Sequence, residues 1–178
     1  MRKILIFYFL LAVSFQAQAT HIMGGEITWE CIKDQTSPDF GRYIFRMKLY
    51  RDCDGTSLTT GTQILTVWSA GVNISTIPLN WIITNDISPD CDVANSGNVA
   101  LDCINNPVGA VEEYIYESLP VVLPGTPPVG GWHFTWDSCC RNGAVDNLVL
   151  SSPTSPSEGF TLRASMFAYN NPITGVNL

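Results

Sequence analysis

Charged side chains are scarce in this sequence, and positive ones are the scarcest. Only 14% of the 178 residues are charged, and nine Lys and Arg stand against 16 Asp and Glu, giving a formal charge of -7. A protein with this excess of negative charge repels the phosphate backbone of nucleic acids, so nucleic acid is not an expected partner. Hydrophobic residues make up 46% of the chain, which excludes a disordered polyelectrolyte.

Catalytic patterns are also missing. The only histidines are His21 and His133, and the sequence has neither a G-x-S-x-G nucleophile pattern nor a glycine-rich phosphate loop. No window carries an apolar stripe at helical spacing, which argues against a helical protein. We therefore predict no catalytic residue, no cofactor and no metal, and a protein that is not an enzyme.

The first nineteen residues have the composition of a signal peptide. Arg2 and Lys3 are positive, residues 4–15 are almost uninterruptedly apolar, and small residues stand at positions 17 and 19. The apolar run is shorter than the about 20 residues that a membrane span needs, and no second run of that length follows. We expect cleavage after Ala19, an extracellular or cell-surface location, and no stable membrane span.

Alternation of polar and apolar side chains predicts β-strands. From residue 43 to residue 51, apolar side chains alternate with Arg46 and Lys48, and residues 25–31 alternate in the same way. The polar segment 35–41 between them contains Pro38 and Gly41, which is typical of a hairpin loop. We expect these two strands to pair.

Turn residues separate several further strand candidates. They lie at residues 64–70, 74–84, 112–123 with a break at Pro120, 132–137, 144–150 and 160–169. Seven or eight short strands predict an all-β fold, a disulfide-stapled β-sandwich of Ig-like or jelly-roll type, with a partly closed barrel as the alternative. The sandwich would span residues 20–170, and 171–178 would be a linker or the start of a truncated following region.

An even set of cysteines in an exported chain predicts disulfides. The set is Cys31, Cys53, Cys91, Cys103, Cys139 and Cys140. Neighbours at 139 and 140 lie too close to bond each other, so they should have different partners. Cys91 and Cys103 flank one polar loop and are predicted to pair, which leaves Cys31 and Cys53 for the adjacent pair in an open order. A four-thiolate zinc site is the alternative, but no C-x-x-C spacing supports it.

Aromatic residues offer the main candidates for ligand contact. Trp132, Phe134 and Trp136 share one face of a short strand, which favours a place in the core. The alternative is a sugar-stacking platform, in which Trp29, Trp132 and Trp136 would contact the ligand.

Three further groups of residues could form functional sites, but a purely structural role explains each of them better. If processing exposed His21 at the N-terminus, it could form a copper-binding brace with His133, as in polysaccharide-active enzymes, but the required cleavage site is the poorer one. The Asp52–Gly55 segment resembles the start of a calcium loop but suits a turn better, while a looser calcium site with Asp90 or Asp92 stays open. A carboxylate pair for glycoside hydrolysis could come from Glu112, Glu113, Glu117 and Asp137, although their spacing suits a solvated strand edge.

Three strings in the sequence resemble one known group of proteins. They are HIMGGEITWEC from His21, LYRDC from Leu49 and GWHFTWDSCCRN from Gly131. They are similar to the N-terminal region of very large surface proteins of Bacteroidetes that carry a gliding-motility-associated C-terminal (type B) sorting domain read by the type IX secretion system. The resemblance implies an adhesin-like role and transfers no catalytic residue, while this chain has neither the sorting domain nor the repeats.

These observations predict a secreted, non-catalytic binding or structural module, the leading domain of an adhesin-like protein. The expected partners are a cell-surface polymer or glycan, or other modules of the same protein. The alternatives are a lectin-like carbohydrate-binding domain and, less favoured, a copper-dependent polysaccharide-active enzyme. Because cations are few, Arg141 is expected to pair internally with Asp52 or Asp137.

Overall fold

Seven β-strands form the part of the protein that the structure, a computed structural model, describes: residues 22–89, 100–138 and 159–168. The strands are β1 (Ile22–Cys31), β2 (Tyr43–Asp52), β3 (Gln63–Ser69), β4 (Val72–Asp86), β5 (Val111–Glu117), β6 (Trp132–Ser138) and β7 (Phe160–Met166). Within these ranges there is no helix, so the predicted all-β class is confirmed. The predicted strand at residues 144–150 lies outside the described residues.

The strands form one antiparallel sheet in the order β1-β2-β5-β4-β3-β6-β7. β4 is 15 residues long, and its two ends belong to different halves of the sheet. Val72 to Leu79 pairs with β3, whereas Asn80 to Asp86 pairs with β5. The two halves therefore face each other in a sandwich-like arrangement. The edge strands β1 and β7 approach each other, so the sheet is nearly closed.

Period-two patterning places one apolar layer inside the sheet. On β2, Phe45, Met47 and Leu49 are buried while Arg46 points outward, and β2 pairs with β1 as predicted. Phe134 of β6 packs against Phe45 across the core, with ring centroids 4.6 Å apart. The core thus joins both halves of the sheet, and this burial is the main source of stability.

A disulfide joins Cys53, just after β2, to Cys103. The predicted Cys91–Cys103 pairing is therefore wrong, and so is a bond from Cys53 to Cys139 or Cys140. The reason is that residues 100–110 fold back beside the end of β2, where the backbone N–H of Cys53 donates to the carbonyl of Ala110. Among the described residues Cys31 has no disulfide partner, and its predicted partners at positions 139 and 140 are not among these residues. Positions 91, 139 and 140 lie outside the described residues.

Candidate functional site

The two edge strands touch at one level and enclose a cavity at another. Gly25 of β1 lies so close to Leu162 of β7 that a Cβ at Gly25 would be 2.7 Å from Leu162 Cδ1. Four residues further along both strands, a cavity of about 830 Å³ opens. We call it the upper groove, and its main side chains are those of Trp29, Phe40, Tyr43, Leu123, Trp132 and Phe167.

One wall of the upper groove is the segment between β5 and β6, which is tied to β2. The backbone groups of Val121 and Tyr43 exchange two hydrogen bonds of 2.9 Å. Just before them, buried Ser118 bonds Phe45 through its backbone N–H and accepts the Phe45 N–H with its hydroxyl oxygen, each at 2.9 Å. These bonds fix the start of the segment, so Leu123 is positioned against the groove.

Gly131 is the last residue of the same segment, directly before β6, and lies at the far side of the groove. It has a φ of 77°, a left-handed conformation that favours glycine, and its N–H donates to the carbonyl of Pro128 at 2.7 Å. A Cβ at Gly131 would lie 2.8 Å from the carbonyl oxygen of Met166 and 3.0 Å from the ring of Phe167. Glycine is therefore needed both for the turn and for close contact with the end of β7.

The groove presents aromatic surface to solvent at its rim. Phe40 and Phe167 are 54% and 62% exposed, although large apolar side chains are usually buried. Polar groups are fewer and include Lys33, Tyr43 and the free thiol of Cys31. Burial raises the pKa of the Tyr43 hydroxyl, and the charge of Cys31 raises it further, so this hydroxyl is a neutral hydrogen-bonding group at neutral pH.

The tryptophans selected from the sequence do not form one exposed platform. Trp132 and Trp136 are only 4% and 7% exposed and belong to the core, as the shared strand face favoured. Trp136 donates to Gln63 Oε1 at 2.9 Å and does not line the upper groove. Half-buried Trp29 packs against Phe134 but contributes, with Trp132, to the groove wall.

The weaker candidates from the sequence have structural roles where the structure describes them. His133 Nδ1 lies 2.8 Å from the hydroxyl oxygen of Ser165, while His21 lies outside the described residues. Asp52 accepts the backbone N–H of Asp54 at 3.0 Å, and its carbonyl accepts that of Gly55, so this segment is a turn. Positions 90, 92 and 141 also lie outside the described residues, and with them the proposed calcium ligands and the Arg141 pairing.

The glutamates of β5 do not face each other as a catalytic pair. Each forms an ion pair with a cation of the neighbouring β2: Glu112 with Arg51, Glu113 with Lys48, and Glu117 with Arg46. Glu112 points to the face of the sheet opposite that of Glu113 and Glu117, and the latter two are separated by three residues along β5. These cross-strand ion pairs make the β5 carboxylates part of the sheet. The predicted solvated strand edge is wrong for them, because β5 lies between β2 and β4 and Glu113 is only 8% exposed.

Sequence reasoning missed one buried ion pair. Arg51 is only 4% exposed, and its Nε donates to Glu112 Oε1 at 2.6 Å while its Nη1 bonds the carbonyl of Gly55. The sequence pattern could have indicated this burial. Arg51 is two residues after buried Leu49 on the same strand, so both side chains point to the inner face of the sheet.

Comparisons with family models, with curated proteins and with solved structures find no match for this chain. Among the described residues, no helix has the length and hydrophobicity needed to cross a membrane. The resemblance to Bacteroidetes surface proteins therefore stays a prediction from the three sequence strings.

Proposed function

We propose that this protein is a non-catalytic extracellular binding module, the N-terminal domain of an adhesin-like surface protein, and that its ligand binds in the upper groove. The observation that carries the proposal is the groove itself: about 830 Å³, lined by aromatic side chains, and built from loops on a packed sheet. Ligand sites are commonly concave and mostly apolar, with a few polar groups and volumes of roughly 300–1,000 Å³.

The exposed rim supports a binding role over that of an inert spacer. Phe40 lies in the loop between β1 and β2, Phe167 lies just after β7, and both line the same cavity. Because both rings remain in water, the folded protein lacks the stabilisation of about 1.5–3 kcal/mol that full burial of each side chain would bring. A ligand that covers them would recover part of this free energy, so clustered exposed aromatics are typical of interaction sites.

We propose a glycan as the ligand class. Sugar rings have apolar C–H faces that pack on aromatic rings, while their hydroxyls need hydrogen-bonding groups nearby. Trp29 and Tyr43 supply aromatic surface, and the Tyr43 hydroxyl, Lys33 and Thr126 supply polar groups on the same lining. This combination favours the lectin-like form of the binding module.

A glycan array probed with the full-length processed protein tests this proposal. We expect binding to a restricted set of glycans, and at least a tenfold weaker affinity for the double variant Phe40→Ser/Phe167→Ser. The matched control is Ile82→Ser, which removes an equally exposed apolar side chain from β4, outside the groove. Equal affinity of the wild-type protein and the groove variant, or no glycan bound by correctly folded wild-type protein, would reject the glycan assignment.

A further inference from the structure

A second group of chemically reactive side chains lies at the end of the sheet where β2 ends and β5 begins. The Sγ atoms of Cys53 and Cys103 and a carboxylate oxygen of Glu112 all lie within 4.8 Å of one another. Glu112 stands in register between Arg51 on β2 and Asp86 on β4. We call these five residues the basal cluster; it is separate from the upper groove.

We propose that the basal cluster binds one zinc ion when Cys53 and Cys103 are reduced, with Glu112 as the third protein ligand. Two thiolates and one carboxylate are donor types that zinc accepts, and a water molecule would complete a tetrahedral set. The disulfide and the metal use the same two sulfurs, so they are alternative states of one site.

The chemical step is the reduction of the Cys53–Cys103 bond by an external dithiol. Two electrons and two protons from the dithiol cleave the S–S bond and yield two thiols, while the dithiol becomes a cyclic disulfide. Zinc then displaces both thiol protons to solvent and binds the two thiolates.

Hydrogen bonds of the backbone N–H groups fix the position of each cysteine independently of the S–S bond. The N–H of Cys53 donates to the carbonyl of Ala110 at 3.0 Å, and that of Cys103 donates to Asp86 Oδ2 at 2.8 Å. In a tetrahedral site with Zn–S bonds of about 2.3 Å, the sulfurs lie roughly 3.8 Å apart. With Cα atoms 5.1 Å apart, side-chain rotation alone can supply this separation.

Glu112 has an oxygen that its ion pair leaves free for a metal. Both contacts from Arg51, through Nε and Nη2, fall on Oε1 of Glu112. The divalent ion together with the Arg51 cation balances the two thiolates and the Glu112 carboxylate, so Asp86 is the one remaining charge of the basal cluster.

Cobalt(II) titration tests the site, because cobalt takes tetrahedral zinc sites and is visible by absorption. The full-length processed chain carries the substitutions Cys31→Ser, Cys91→Ser, Cys139→Ser and Cys140→Ser, so that only Cys53 and Cys103 remain as cysteines. After reduction we expect one equivalent of cobalt to give a thiolate charge-transfer band and tetrahedral visible bands, both removed by zinc. The oxidised protein should give neither band, and a reduced protein without bands would overturn the proposal.

The variant Glu112→Gln tests whether cobalt binds to the folded site with three protein ligands or only to two thiols of an unfolded chain. We expect cobalt affinity to fall at least tenfold, whereas Glu113→Gln, a change at the next residue, should alter it less than twofold. Because Glu112→Gln also leaves Arg51 unpaired, the double variant Arg51→Met/Glu112→Gln is measured beside it and should show the same loss. Unchanged affinity in both Glu112 variants would contradict the site.

If the reduced chain unfolds, recovery of the strand signal in circular dichroism on adding zinc supports the proposal, and no recovery at saturating zinc overturns it.

Discussion

Gly25 of β1 faces Leu162 of β7 at the point where the two edges of the sheet meet. The backbone of Gly25 is also so near β2 that a Cβ would lie 2.5 Å from the carbonyl oxygen of Lys48. A side chain here would push the edges apart. The absence of one lets the sheet nearly close, and the upper groove lies where the same two strands are no longer in such close contact.

We expect Gly25→Ala to lower the free energy of unfolding by about 1–3 kcal/mol, the usual cost of overpacking. Urea unfolding measures this change. Gly24→Ala is the control, since the nearest atom to its Cβ is 3.9 Å away. Adding Leu162→Ala to Gly25→Ala should recover only part of the loss, because the Lys48 carbonyl stays in place. Equal costs at positions 24 and 25 would contradict the close approach.

Much of this fold could be predicted from the sequence. The alternation in residues 43–51 and 25–31 identified β1, β2 and their pairing, since side-chain period reports which face of a strand is buried. The long-range order of the strands could not be predicted, because β4 serves both halves of the sheet and alternation does not reveal a strand's neighbours. Disulfide pairing failed for a related reason: the fold-back of residues 100–110 beside β2 leaves no local signal.

The buried ion pair between Arg51 and Glu112 should be strongly coupled. We expect Glu112→Gln to cost about 3–5 kcal/mol because it leaves a buried cation without its partner. Arg46→Met, which breaks the exposed pair with Glu117, should cost no more than about 1 kcal/mol. Chemical denaturation of both variants measures the difference, and similar costs would show that Arg51 is solvated.

The Cys53–Cys103 bond should be the dominant crosslink between β2 and the 100–110 segment. It closes a loop of 50 residues, so replacing both cysteines with Ala should cost about 4 kcal/mol in the chain-entropy model. Thermal and urea unfolding measure this cost. Peptide mapping without reduction should recover the Cys53 and Cys103 peptides joined to each other, and a Cys91–Cys103 peptide instead would refute the assignment.

Tyr116 should make the protein sensitive to alkali. Burial, followed by the charge of Tyr114, raises the pKa of Tyr116 from 10.0 to about 12. The stabilisation is complete below pH 10, where the tyrosine is neutral in both states, and is lost as the pH rises toward 12. We expect a loss of about 1 kcal/mol between pH 8 and pH 11, measured by urea unfolding soon after the pH change. Tyr116→Phe cannot ionise and should lose less; an equal loss would place the effect elsewhere.

The candidate site was less predictable than the fold. The aromatic pattern of the sequence predicts Trp29 and Trp132 as ligand contacts, and both line the groove, but it does not point to the exposed rings of Phe40 and Phe167. Phe40 lies in a loop, where no side-chain period reports burial, and Phe167 lies just after β7, which ends at Met166 although the sequence predicts a strand over residues 160–169. The position of Phe167 depends on the close approach of Gly131 to the end of β7, a tertiary contact.

Hydrogen exchange with and without the best glycan from the array shows which surface of the protein the ligand covers. If the upper groove is the binding site, the bound glycan slows exchange of backbone amides in residues 32–41 and 118–131, which border the groove, and leaves residues 100–110 at the opposite end unchanged. Protection confined to residues 100–110 or to the outer face of β4 would contradict the assignment of the groove as the binding site.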